Sequence, residues 1–351
     1  MSEGAVTTMA AGVTTMADNL ARWDGERRGV YEVWYATWND PSSGDGYWLR
    51  HVIESPLASV GEPYAEVWFA RLCAKDPTRS FGLHRRYPIH ALVTSREPFG
   101  VKIGPSRLGH DHAAGAVSGD GHAVEWDLRW TPSVATLHQL PAVMYARDLG
   151  DTKVLSPNVD VPITGTLIID GERVTMTNAR GGQSHVWGTK HAASWGWAHC
   201  NSFDDRPGAA LEVLHARLRR RGVNLPPMTI AVLRLPGEEL ALNRFDQALW
   251  SGAAEVATGR FKFRAGGLMV RVEGEFSCAP TDVIRALYHD PDGEERWNHF
   301  TALADLRLTV LRRVRGRWQA TEQLTATRTA AFELAGPTPD AAVTCEHVAV
   351  A

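Results

Sequence analysis

Two neighbouring stretches hold most of the side chains able to do chemistry. Ser184-His185-Val186-Trp187-Gly188-Thr189-Lys190 is followed by Trp195-Gly196-Trp197-Ala198-His199-Cys200-Asn201-Ser202-Phe203. In extended chain, side chains alternate between faces. Trp195, Trp197, His199, Asn201 and Phe203 then share one face, and Gly196, Ala198, Cys200 and Ser202 share the other. Small residues let another element pack close behind. The large face then turns toward aromatic walls and a few polar groups, the makeup of a ligand cavity. His185 and Trp187 share one side of their own strand. The competing reading is a packed core, but such a core avoids His and Asn. Ring faces attract a cation by about 0.5–2 kcal/mol each, and a histidine exchanges protons near neutral pH. A shaped pocket also folds a flexible chain into a reactive conformation. The pattern assigns proton transfer to His185 or His199 and orientation to Asn201. Trp187, Trp195, Trp197 and Phe203 become the walls. Arg50 shares a strand face with Trp48 and is read as a cation–π partner or as an anchor for a substrate carboxylate.

Other constellations are weaker. His110-Asp111-His112, with His122 beyond, lies in Gly- and Ala-rich chain and reads as solvated loop rather than a metal site. Glu125 and Asp127 alternate with Trp126, Leu128 and Trp130, so the carboxylates face solvent. Arg312, Arg313, Arg315 and Arg317 read as charges that protect a strand edge.

The elements that must position these groups are strands. Val30–Trp38, Tyr47–Glu54, Pro63–Ala74, Ile163–Ile169 and Met228–Leu235 are β-branched or aromatic runs. They are punctuated by turn clusters such as 39–46, Asp170-Gly171 and Asp290-Pro291-Asp292-Gly293. Gly208–Arg221 fits either a helix or a strand. Many short strands in 351 residues imply two all-β barrel domains. The first 24 residues are expected to be disordered, and the Pro- and Ala-rich tail 337–351 loose.

Composition narrows the classes. Lys+Arg 37 against Asp+Glu 40 gives a net charge of −3, which excludes nucleic acid as a bulk-charge partner. There is no run of 18 apolar residues to cross a membrane. Four scattered cysteines without CxxC spacing indicate a reducing compartment, and a cytoplasmic location is expected. Trp, at 13, outnumbers Phe at 10 and Tyr at 7, so tryptophans either plug cores or line a large cavity. No GxGxxG, P-loop, GxSxG or HExxH motif is present.

The spacing H-x-W-G, then W-x-W-x-x-C-N-x-F, resembles the CrtC/AttH-like family of paired lipocalin-like proteins. That family includes carotenoid hydratases, tocopherol cyclases and Diels-Alderase-like cyclases. Cys278-Ala279-Pro280, Tyr288-His289-Asp290-Pro291-Asp292-Gly293 and Ala304-Asp305-Leu306 extend the resemblance to the second half. It implies two lipocalin-like (calycin) antiparallel β-barrels, at 25–190 and 191–336, and tips Gly208–Arg221 toward strand. It also implies no cofactor, whether metal, flavin or nicotinamide. One departure stands out: carotenoid hydratases carry an acid just before the motif histidine, and Ser184 holds that place here. Two functions stay open. One is a cyclase, hydratase or isomerase of secondary metabolism acting on an apolar isoprenoid or polyketide-like substrate. The other is a non-catalytic carrier or sensor of an apolar small molecule.

Overall fold

The computed structural model describes residues 15–220, 223–248 and 252–351. The protein is almost entirely antiparallel β. In the first half, Val30–Asn39, Gly46–Ser55, Tyr64–Leu72 and Phe81–Pro88 form a meander. Glu172–Gly188 returns to pair with Val30–Asn39. Thr152–Ile169 and His122–Arg129 continue the sheet. The alternation of Val30–Asn39 sorts its residues. Trp34, Ala36 and Trp38 enter the core of this sheet, whereas Tyr31, Val33 and Tyr35 face outward.

The second half repeats the plan. Ser194–Cys200 lies between Ala210–Arg217 and Arg317–Gly336. Glu295–Val314 pairs with Arg317–Gly336 over most of its length. Inside this sheet pack Ala198, Cys200, Leu211, Val213, Phe261, Phe276 and Phe332. Ala210–Arg217 is therefore a strand, with Leu211 and Val213 inside and Glu212 and Leu214 outside. Each sheet wraps round an apolar core like a barrel. However, no ladder among the described residues joins Phe81–Pro88 to Leu92–Arg96, or Glu238–Leu242 to Gly252–Ala257. The barrels expected from the sequence are thus present as curled sheets that backbone hydrogen bonds among the described residues do not close.

The two sheets meet back to back. Trp48 stacks on Phe300 with ring centroids 4.3 Å apart. A Cβ on Gly46 would lie 2.7 Å from Ala302 Cβ, so only glycine lets the backbones approach there. The tail corrects a second expectation. Cys345–Val350 is a strand that pairs in parallel with both Phe81–Pro88 and Ile284–His289. It covers one edge from each sheet. At the other end, residues 15–24 are ordered, with a short helix Thr15–Asn19 and Asn19 fully buried. The disorder expected for residues 1–14 lies outside the described residues.

Candidate functional site

A cavity of about 730 Å³ opens between the outer faces of the two sheets. Regular pairing builds each wall. On the first sheet, Trp68, Arg50, Tyr35 and Ser184 sit directly opposite one another across four strands. On the second, Phe300, Glu333, Trp197, Leu214 and Ile230 form the corresponding row. Directly opposed side chains have Cβ atoms about 4.5–5.5 Å apart, so each row is a continuous strip.

Glu333 is the carboxyl of the second wall. It accepts hydrogen bonds from Trp195 Nε1 at 2.7 Å, Asn298 Nδ2 at 3.0 Å and Tyr288 Oη at 3.3 Å. A ladder of rings, Tyr31, His191 and Trp195, stacks beside it at 4.1 and 5.1 Å. His191 Nδ1 lies 2.6 Å from Asp290 Oδ1. Burial pushes the Asp290 carboxyl up, but the side-chain and backbone hydrogen bonds from His191, with the charges of His191 and Arg296, together outweigh it and hold the group below its usual range. Burial also pushes the Tyr288 phenol well above the ordinary tyrosine value.

Tyr35 stands edge-on to Trp197 at 5.2 Å. Burial, reinforced by Glu212, drives its phenol well above the ordinary value, and a hydrogen bond with Ser184 opposes this. Behind Tyr35 runs a buried polar chain. Ser184 Oγ is 2.8 Å from Ser156 Oγ, and Ser156 donates to Glu212 Oε1 at 3.0 Å. Glu212 also accepts from Trp197 Nε1 at 2.8 Å, Gln139 Nε2 at 3.1 Å and His199 Nδ1 at 3.0 Å. His199 Nε2 is buried without a hydrogen-bond partner.

The residues picked out by spacing separate into groups. Trp195, Trp197, Trp48 and Arg50 line the cavity. His199 stands behind Trp197, tied to Glu212. Asn201 is off the wall and donates to the Val159 carbonyl at 3.3 Å. Phe203 corrects the shared-face reading: the strand ends at Cys200, the alternation stops, and Phe203 enters the core of the second sheet. His185 and Trp187 also face away from the cavity, because Ser184 and Val186 hold the cavity side of their strand. His185 stacks on Trp34 at 4.8 Å. Its Nε2 is 2.7 Å from Glu32 Oε1 and its Nδ1 is 2.7 Å from the Asp18 carbonyl. Glu32 in turn accepts from the backbone N–H groups of Arg22 and Trp23 at 2.7 and 2.8 Å. This histidine clasps the segment that precedes the first strand. Trp187 is half-buried, with Arg22 over its ring at 5.1 Å.

Glu125 and Asp127 are exposed, and the described residues contain no group of three or more potential metal ligands. Tyr35, Tyr288, Glu212 and Glu333 escaped the spacing argument. For the two glutamates the signal is a lone acid in an apolar run, as in Ala210-Leu211-Glu212-Val213-Leu214 and Ala331-Phe332-Glu333-Leu334-Ala335. None of the described helices is long and apolar enough to cross a membrane.

No family model matches the chain. An uncharacterized protein of Mycobacterium tuberculosis, found in two strains, is 27% identical over 319 residues, 88% of this chain and 90% of its own. A putative AttH from Nitrosomonas europaea superposes with a TM-score of 0.57 at 14% identity, covering 97% of this chain and 100% of its own. CghA gives 0.51 at 14% identity, with 94% of each chain covered. The chain has the fold of AttH and CghA. Kievitone hydratase from Nectria haematococca gives 0.49 at 11% identity, with 88% of this chain and 89% of its own covered.

Proposed function

We propose that the protein is a cofactor-independent hydratase, cyclase or isomerase acting on an apolar isoprenoid or polyketide-like molecule held between its sheets. The cavity carries this reading. Its volume lies within the range of small-molecule sites, and its walls are more apolar than polar, with Tyr35, Trp48, Trp195 and Trp197 among the lining rings and charged groups such as Asp148, Lys190 and Arg244 also on the lining. The AttH-like fold and the W-x-W spacing support it. Trp48, Trp195 and Trp197 fold the substrate and favour positive charge near their faces. Glu333, fixed by three donors, faces that charge without having to reorganise. Tyr35 is the proton donor at the wall. Ser184, Ser156, Glu212 and His199 form the hydrogen-bonded path that resupplies it. Ser184 thus belongs to the path, and the missing acid of the motif is replaced by a phenol on the adjacent strand.

The test is incubation of the purified protein with prenylated phenols and linear polyenes in deuterated water, followed by mass spectrometry. The expected product has gained water or closed a ring and carries carbon-bound deuterium. Tyr35→Phe and Glu333→Gln should each slow turnover by about 100-fold or more, the scale of a lost acid–base or electrostatic group. Tight binding of such molecules with no conversion contradicts the enzyme reading and makes the protein a carrier or sensor of apolar molecules.

A further inference from the structure

Arg50 is a buried cation with no direct ion-pair partner among the described residues. It sits mid-wall on the first sheet, 7% exposed, with Tyr35 and Trp68 directly opposite on the flanking strands. Its guanidinium carbon lies 4.3 Å from the centroid of Tyr288, 4.9 Å from Trp48 and 5.1 Å from Trp68. None of the ion pairs among the described residues, taken to 4.0 Å, includes it. Its Nη1 is buried and lacks a hydrogen-bond partner.

The nearby acids are engaged elsewhere. Glu66 accepts from Arg86 Nε and Trp68 Nε1, each at 2.9 Å. Asp290 is held by His191, and Glu333 by Trp195, Asn298 and Tyr288. Glu54 lies on the same strand face as Arg50. Burial, reinforced by Glu66 and Asp290 and opposed by Arg50 itself, pushes its carboxyl well above the usual range, and it forms no ion pair with Arg50. Three ring faces offset part of the cost of burying a guanidinium, but they use none of its forked N–H donors. That fork matches two coplanar oxygens.

We infer that Arg50 anchors an oxyanion on the substrate, a carboxylate or the enolate of a 1,3-dicarbonyl, whose apolar body extends along Trp195 and Trp197. The inference rests on the cavity being the substrate site. It narrows the substrate from any apolar molecule to one with an acidic oxygen head, which places the reacting carbons at a set distance from that head.

Titration calorimetry of the full chain with dodecanoate and dodecanol tests this. The two probes share an apolar body and differ in the head. Dodecanoate should bind about tenfold or more tightly than dodecanol, as expected for a charge-assisted pair. Arg50→Gln should abolish that preference and leave dodecanol affinity within about twofold. Arg50→Lys should keep part of it. Equal affinities in the wild-type chain overturn the anchor and leave the cavity reading standing, whatever the folding of the variants. Equal loss of both probes in Arg50→Gln also overturns it. If neither probe binds, the cavity reading fails and the anchor with it.

Discussion

Among single residues, the buried His185–Glu32 pair gives a sharp prediction. Removing one partner of a buried ionisable pair typically costs about 3–5 kcal/mol, because the other is left unsatisfied. His185→Ala should therefore lower the melting temperature clearly and open a new protease site within residues 15–28. An unchanged melt and protease pattern with lost turnover would make His185 a proton-transfer group instead. The histidine was visible in the sequence, but its face was not. Alternation tells which residues share a side, not which side they share. From Gly181 to His185 the strand Glu172–Gly188 is buried on both faces, so that stretch offers no polar contrast to orient it. Trp195 and Trp197 were legible because Gly196 and Ala198 mark the opposite face, where Leu334 and Phe261 press close. Trp197→Ala should leave Glu212 with one donor fewer and weaken binding of dodecanol by about tenfold, the effect of losing a large aromatic wall. Unchanged affinity would move the ligand elsewhere.

For whole elements, most strands were readable, since runs such as Val30–Asn39 and Met228–Leu235 are rich in β-formers between turn signals. The final strand was not. Cys345–Val350 pairs with Phe81–Pro88, far earlier in the chain, and no local pattern reports so distant a partner. Its composition reads as loose tail, yet Val348 and Val350 pack against the first core and His347 is buried. Deleting residues 345–351 should bare one strand edge in each half. The expected result is a lower unfolding midpoint and concentration-dependent association, as unprotected edges pair with other chains. Wild-type stability in the truncated chain would show that this strand merely rests on the sheets. Gly208–Arg221 shows a related limit. Its leucines fit either period, and what fixes it as a strand is its long-range pairing, Trp197 opposite Leu214 and Ile230 beyond it.

For the molecule as a whole, two curled sheets placed back to back create a cavity that neither holds alone. The fold also buries several histidines, His51 and His215 on the inner faces of the first and second sheets and His347 between the sheets against Trp48 and Trp68. Burial pushes His51 down to about 3 and His215 down to about 4, and drives His347 well below its ordinary value. Unfolded histidines take up a proton near pH 6.5, so below that pH the unfolded chain binds more protons than the folded one. Stability should hold above about pH 6.5 and fall as pH drops toward 4, by up to about 1.4 kcal/mol per unit for each such histidine. Urea unfolding at pH 7 and pH 5 checks this. His51→Gln, which keeps a polar partner for Ser106, should flatten the slope, and equal midpoints at both pH values would contradict it. The central claim, that the ligand lies between the sheets rather than inside either one, is tested most directly by photocrosslinking. Dodecanol bearing a diazirine is irradiated with the protein and the labelled peptides are mapped. Label on the Tyr35 and Trp48 strands together with the Trp197 and Leu214 strands is the predicted result. Label confined to the inward residues of one sheet, such as Trp126 or Phe261, would contradict it.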